Sequence, residues 1–185
     1  MLPPSPPQAA LLVDGYNIIG AWNYLKQTRD AAGLETARWQ LIEALINYTA
    51  FKGLVTQIVF DAQYQQTPGN QEVKTDNLSV YYTTFGETAD TYIERTCASY
   101  FRQYVHKTNS SRLIVATSDR AQRLTVVGYG AEWMSAQQLR CEVESAYQRA
   151  RRQQKPRKQS SSRFLANSLD AKARDSLAQM RWGIK

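Results

Sequence analysis

Apolar and polar positions alternate between two regimes along the chain. Short continuous apolar runs are separated by longer stretches with helical spacing. Ala10 to Asp14 is apolar until its final acid and is expected to be a buried strand. Glu35 to Phe51 carries Ala37, Leu41, Ala44, Leu45 and Tyr48 at helical spacing, and Gly53 is placed to cap that helix. Val55 to Phe60 predicts a second buried strand, closed by Asp61. Ala62 to Asn77 is polar, contains Pro68-Gly69-Asn70, and is expected to be a loop. Leu78 to Tyr82 predicts a third strand. Glu87 to His106, with Ala89, Ile93, Cys97, Tyr100, Phe101 and Tyr104, predicts a helix. Arg112 to Ala116 is a fourth strand, Asp119 to Val127 a short helix, and Ala131 to Met134 a short last strand. Ser135 is a fitting N-cap for a helix running through Tyr147.

Buried strands alternating with helices imply an α/β fold: a central parallel sheet covered on both faces, in three layers. Ligands in such folds bind beyond the carboxyl ends of the strands. Acids recur there. Asp14 ends the first strand, Asp61 the second, and Asp119 lies just past the fourth. Glu87 and Asp90 are expected on one face of the helix after the third strand, with Glu94 one turn on. Crowded carboxylates repel, and a hard divalent cation such as Mg²⁺ or Mn²⁺ would neutralise them. Each acid also has a plain structural reading. Asp119 suits an N-cap, Asp61 a turn cap, and Glu87 and Asp90 a helix start.

Charge sharpens the picture. The 185-residue chain has a formal net charge of +7, and seven basic residues with no acid fall between Arg149 and Arg163. They are Arg149, Arg151, Arg152, Lys155, Arg157, Lys158 and Arg163. Outside that segment 16 basic residues balance 16 acidic ones. A local basic segment suits a polyanion, nucleic acid before anionic membrane; a solvated charge run is the alternative.

Other chemistries are poorly supplied. His106 is the only histidine, at the far end of its helix. Cys97 and Cys141 fit no metal-ligand spacing and are expected to be buried free thiols in a reducing cytosol. No Gly-x-x-x-x-Gly-Lys loop occurs. An aspartyl phosphatase would want a second acid two positions after Asp14, where Tyr16 stands. A phospho-receiver would want a lysine after the last strand, and Met134-Ser135-Ala136 has none. No apolar run approaches the roughly 20 residues of a membrane span. The proline-rich residues 1–9 read as a disordered lead rather than a secretory signal.

Four segments resemble the YacP-like branch of the NYN-domain nucleases, within the PIN-like superfamily. They are Leu12-Val-Asp-Gly-Tyr-Asn-Ile-Ile19, Val59-Phe-Asp-Ala62, Gly86-Glu-Thr-Ala-Asp-Thr-Tyr-Ile-Glu94 and Val115-Ala-Thr-Ser-Asp119. They span roughly residues 10–147, a nuclease domain expected over 10–148. A basic, partly helical extension over 149–185 maps onto no motif. The resemblance implies strand order 3-2-1-4-5, a Mg²⁺ or Mn²⁺ site, and endoribonuclease activity. One kind of family member cuts messenger RNA on the ribosome. The implied metal acids are Asp14, Asp90 and Asp119, with Asp61 and Glu87 as further members. Asn17 matches an asparagine of the first motif.

The expected chemistry is metal-assisted hydrolysis of RNA phosphodiesters, with Glu87 placing the attacking water. Tyr16, Asn17, Ser118, Arg120 and Arg123 are the candidate substrate contacts. Tyr24 is a further candidate for stacking on bases, whereas Trp22 reads better as core. Arg149, Arg151, Arg152, Lys155, Arg157 and Lys158 would anchor a large RNA. A non-catalytic RNA- or ribosome-binding module on the same fold is the rival reading.

Overall fold

The computed structural model describes residues 9–62, 69–104 and 112–154. In order these form β1 (Ala9–Asp14), α1 (Gly15–Ala21), α2 (Asn23–Ala32), α3 (Leu34–Lys52), β2 (Val55–Phe60) and β3 (Asn70–Thr75). There follow β4 (Leu78–Tyr82), α4 (Ala89–Tyr104), β5 (Arg112–Ala116), α5 (Arg120–Gly128), β6 (Glu132–Met134) and α6 (Ala136–Gln154). The chain divides into two units, 1–148 and 149–185. Of the second unit only the end of α6 is described, where Arg149, Arg151 and Arg152 are exposed. Lys155, Arg157, Lys158 and the weak helical pattern beyond residue 163 lie outside the described residues, as does His106.

The six strands form one sheet in the order β3-β4-β2-β1-β5-β6. β4, β2, β1, β5 and β6 are mutually parallel and reproduce the expected order. Residues 70–75 correct the expectation of a loop. They pair antiparallel with β4 at the sheet edge. Their polarity hid them: Val73 is 74% exposed, and an edge strand with little to cover needs no apolar pattern.

β1 shows why the centre reads as continuous hydrophobicity. Leu11 and Val13 face a core shared with α1, α2, α3 and α6. Leu12 faces the other core, with Ile93 and Cys97 of α4 and Val126 of α5. Both faces are covered, so every position is apolar. By the same alternation Asp14 and Asp61 belong to the side of α4 and α5.

The segment after β1 is helical, which apolar spacing did not reveal. Asp14 caps α1 by accepting the Asn17 N–H at 3.1 Å. Trp22 then breaks the helix in an extended conformation. Its indole is buried, as its core reading expected, and donates to the Ala136 carbonyl at 2.8 Å. Ser135 and Gln138 make a reciprocal capping box that starts α6. Two further corrections concern side chains. Cys97 is buried as expected, but Cys141 is exposed. Glu87 lies before α4, in a turn in which its N–H meets the Thr84 carbonyl, so it does not share a helical face with Asp90. Among the described residues no helix is long and apolar enough to cross a membrane.

Candidate active site

Four aspartates gather beyond the carboxyl ends of the parallel strands, each fixed by one oxygen. Asp14 Oδ1 takes the Asn17 N–H at the start of α1. Asp61 Oδ1 takes the Ala89 N–H, the first of α4, across 28 positions of sequence. Asp119 Oδ1 caps α5, accepting from Ala121 at 2.7 Å and Gln122 at 2.9 Å. Asp90 Oδ1 takes the side-chain amide of Gln122. The capping roles and the gathering are therefore one arrangement: backbone donors at helix starts aim the carboxyl groups. Among the described residues the second oxygen, Oδ2, of all four takes no hydrogen bond or ion pair.

The carboxyl groups act on one another electrostatically. Asp14 is only 7% exposed. Burial pushes its carboxyl from 3.8 up to about 7, against the Asn17 N–H, and Asp90, Asp61 and Asp119 push the same way. Partial burial also raises Asp90, with Asp119, Asp61 and Glu94 adding to it and the Gln122 amide opposing. The charges acting on these two groups are all negative. A hard cation would remove that penalty, and carboxylate oxygens are the donors Mg²⁺ and Mn²⁺ favour. Among the described residues no three acidic, histidine or cysteine side chains stand close enough to enclose a metal directly. Oxygen donors of this kind suit an ion that keeps much of its water and takes one or two carboxylates, as Mg²⁺ commonly does.

Two residues tie the site together. The side-chain oxygen of Asn17 accepts the Ser118 N–H at 2.6 Å, joining the start of α1 to the turn after β5. Gln122, 3% exposed, gives its backbone N–H to Asp119 and its amide to Asp90, joining α5 to α4. Gln122 escaped the sequence reading. Its one signal was its place three residues after the N-cap Asp119, where a glutamine ordinarily reaches back to its own helix start.

The remaining candidates fall around this core. Glu87 stands apart. It pairs with Arg95 at 2.6 Å and accepts from the Thr84 hydroxyl at 3.2 Å, and its charge is not among those acting on Asp14 or Asp90. Tyr16 receives a hydrogen bond from Arg38 at 3.2 Å and packs on Phe60. Ser118 and Arg120 are exposed beside Asp119. Arg123 lies over the Trp133 ring, 4.1 Å from its centre. Tyr24 is 42% exposed. A cavity of about 630 Å³, lined in part by Lys52, Arg112, Glu132 and Glu142, contains none of the aspartates. Its charges are paired with one another, Lys52 with Glu142 and Arg112 with Glu132.

Comparison with known proteins shows the family and the fold. The YacP-like NYN domain family matches residues 11–182. The match corrects the expectation that the likeness stops at residue 147, since it continues through the basic tail. The uncharacterized protein YacP of Bacillus subtilis (strain 168) is 36% identical over 143 residues, covering 77% of this chain and 79% of that protein. The crystal structure of Rae1 (YacP) from Bacillus subtilis superposes with a TM-score of 0.63 at 31% identity, over 94% of this chain and 95% of that one. A point mutant of the same protein gives 0.65 at 30% identity, over 93% and 99%.

Proposed function

The chain belongs to the YacP-like NYN-domain family, with a nuclease-like fold, and on that premise we propose that it is an endoribonuclease dependent on Mg²⁺ or Mn²⁺. Its substrate in this reading is messenger RNA, cut in association with the ribosome. The observation that carries the proposal is the fourfold use of one carboxylate oxygen for anchoring, with the other left over.

A bound divalent cation supplies charge neutralisation at the phosphate and lowers the pKa of water, so that attack proceeds near neutral pH. The chain's own residues supply placement. Asp14, Asp90 and Asp119 offer free oxygens at the ends of β1, α4 and α5. Asp61 offers a fourth while holding the start of α4. Asn17 and Gln122 keep these elements in register, which is where orientation contributes to rate. Ser118, Tyr16 and Arg120 border the cluster as substrate contacts. Glu87 pairs with Arg95 and steadies the turn before α4. The preference for RNA over DNA is taken from the family, because this hydrolysis gives the 2′-hydroxyl no role. The exposed Arg149, Arg151 and Arg152 support binding of a large RNA through its phosphates.

One observation favours a second reading, a non-catalytic RNA- or ribosome-binding module. It is the lack, among the described residues, of three ligands close enough to enclose a metal. A cleavage assay separates the two. Incubated with a messenger RNA, the wild-type chain should cut it with Mg²⁺ and not with EDTA, and Asp14→Asn should be at least about a hundredfold slower. Binding without cutting under all conditions would establish the module instead.

A further inference from the structure

We propose that Tyr16, Arg38, Tyr82, Lys74 and Trp39 form a track that holds single-stranded RNA beside the aspartate cluster. The inference rests on the ribonuclease reading and says where the substrate lies.

The residues form a continuous series. Tyr16 stands two positions after Asp14, and its ring packs 5.0 Å from that of Phe60, the neighbour of Asp61 in sequence, so the series begins at the cluster. That hydroxyl accepts from Arg38 Nη1 at 3.2 Å. The Arg38 guanidinium lies 5.7 Å from the centre of the Tyr82 ring. The Tyr82 hydroxyl is acted on by Arg38, Glu72, Lys74 and Tyr16 together. Lys74 Nζ in turn lies 4.6 Å from the centre of the Trp39 ring. A cavity of about 110 Å³ opens among Arg38, Trp39, Lys74 and Tyr82, with Glu35 and Glu72 also lining it.

Alternating rings and cations are what single-stranded nucleic acid needs, since rings stack on bases and cations meet phosphates. The core accounts for Phe60 and part of Tyr82 but not for Trp39, which is 52% exposed. The two carboxylates divide the track. Beside them the cavity is poor for a phosphate but offers acceptors to base amino groups. Arg38, next to Tyr16 and nearer Asp61, is the phosphate contact. Lys74 is already paired with Glu72 at 2.6 Å. Glu72 is the more exposed partner of that pair, so a nucleotide can compete with it for Lys74.

The test uses the full chain carrying Asp14→Asn, so that RNA is held and not cut. Its affinity for a fluorescein-labelled RNA of about 12 nucleotides is read by anisotropy, alone and with Trp39→Ala or Arg38→Gln added. Each addition should weaken binding about tenfold, and Arg38→Lys should recover part of the loss. Thermal melting confirms that each variant folds. In an otherwise wild-type chain the same changes should raise KM more than they lower kcat. Unchanged binding of the longer RNA in both variants would overturn the track, while cleavage of that RNA by the wild type would keep the ribonuclease reading. A wild-type chain that binds RNA through Trp39 but cuts none with Mg²⁺ or Mn²⁺ would do the reverse. No binding by any form would overturn both.

Discussion

Asn17 accepts the backbone N–H of Ser118 through its side-chain oxygen at 2.6 Å, although the two lie 101 positions apart. The bond joins the start of α1 to the turn after β5, and so the segments that carry Asp14 and Asp119 beyond two neighbouring strands. Asn17→Ala should therefore separate the two segments. The expected result is a fall in cleavage of about tenfold from lost orientation. Stability should fall by only about 0.5–1.5 kcal/mol, the ordinary worth of a hydrogen bond. Single-turnover cleavage set beside urea denaturation checks both.

Gln122→Ala should loosen the site from the other side. The Asp90 carboxylate loses its amide donor, and a buried side chain is removed. Partners that orient metal-binding groups commonly contribute about 10–100-fold in metal affinity or activity. Titration with Mn²⁺ by calorimetry should show a loss in that range. An unchanged affinity would assign Gln122 to packing alone.

Gly15 follows Asp14 where nothing larger fits. A Cβ there would lie 2.1 Å from a ring carbon of Phe60, which is fully buried. Gly15→Ala should destabilise by about 1–3 kcal/mol, as overpacked cores do. Adding Phe60→Leu makes room, so the double variant should be more stable than the sum of the single effects implies. Denaturant melts of the four proteins give the coupling.

The buried Asp14 carboxyl predicts an unusual pH dependence for the metal-free protein. Its pKa is about 7 in the folded chain and near 3.8 when unfolded. Between those values the folded state binds more protons than the unfolded one, so stability falls as pH rises from about 4 to 7. The full effect is on the order of 4 kcal/mol and is complete by about pH 8. In EDTA, Asp14→Asn should flatten the curve between pH 5 and 8 and exceed the wild type in stability at pH 8. Mg²⁺ binds the ionised form and should restore the wild type there. Parallel curves for the two proteins would contradict this assignment.

What could be read from the chain follows from how each residue is buried. Strands covered on both faces, such as Leu11 to Val13 and Ile58 to Phe60, appear as apolar runs, and the acids that end them mark the site. β3 could not be read this way, because an exposed edge strand has no buried face to pattern. α1 was hidden by Gly15 and Gly20 and by its length of only 7 residues. Glu87 lies two residues before the helix that its spacing to Asp90 predicts. Gly86, with φ of 82°, and the turn to Thr84 keep Glu87 outside it. Gln122, Arg38 and Trp39 acquire their significance from partners distant in sequence, which spacing alone does not encode.

The proposed divalent-metal site lies among the free oxygens of Asp14, Asp90 and Asp119, with Asp61 beside them. Crystals soaked in Mn²⁺ test it through anomalous scattering. The expected result is a peak among the Oδ2 atoms of these aspartates, within direct or water-bridged reach, and its loss in Asp14→Asn. A fully soaked crystal with no peak there, or with its strongest peak at another group of acids, would contradict the account.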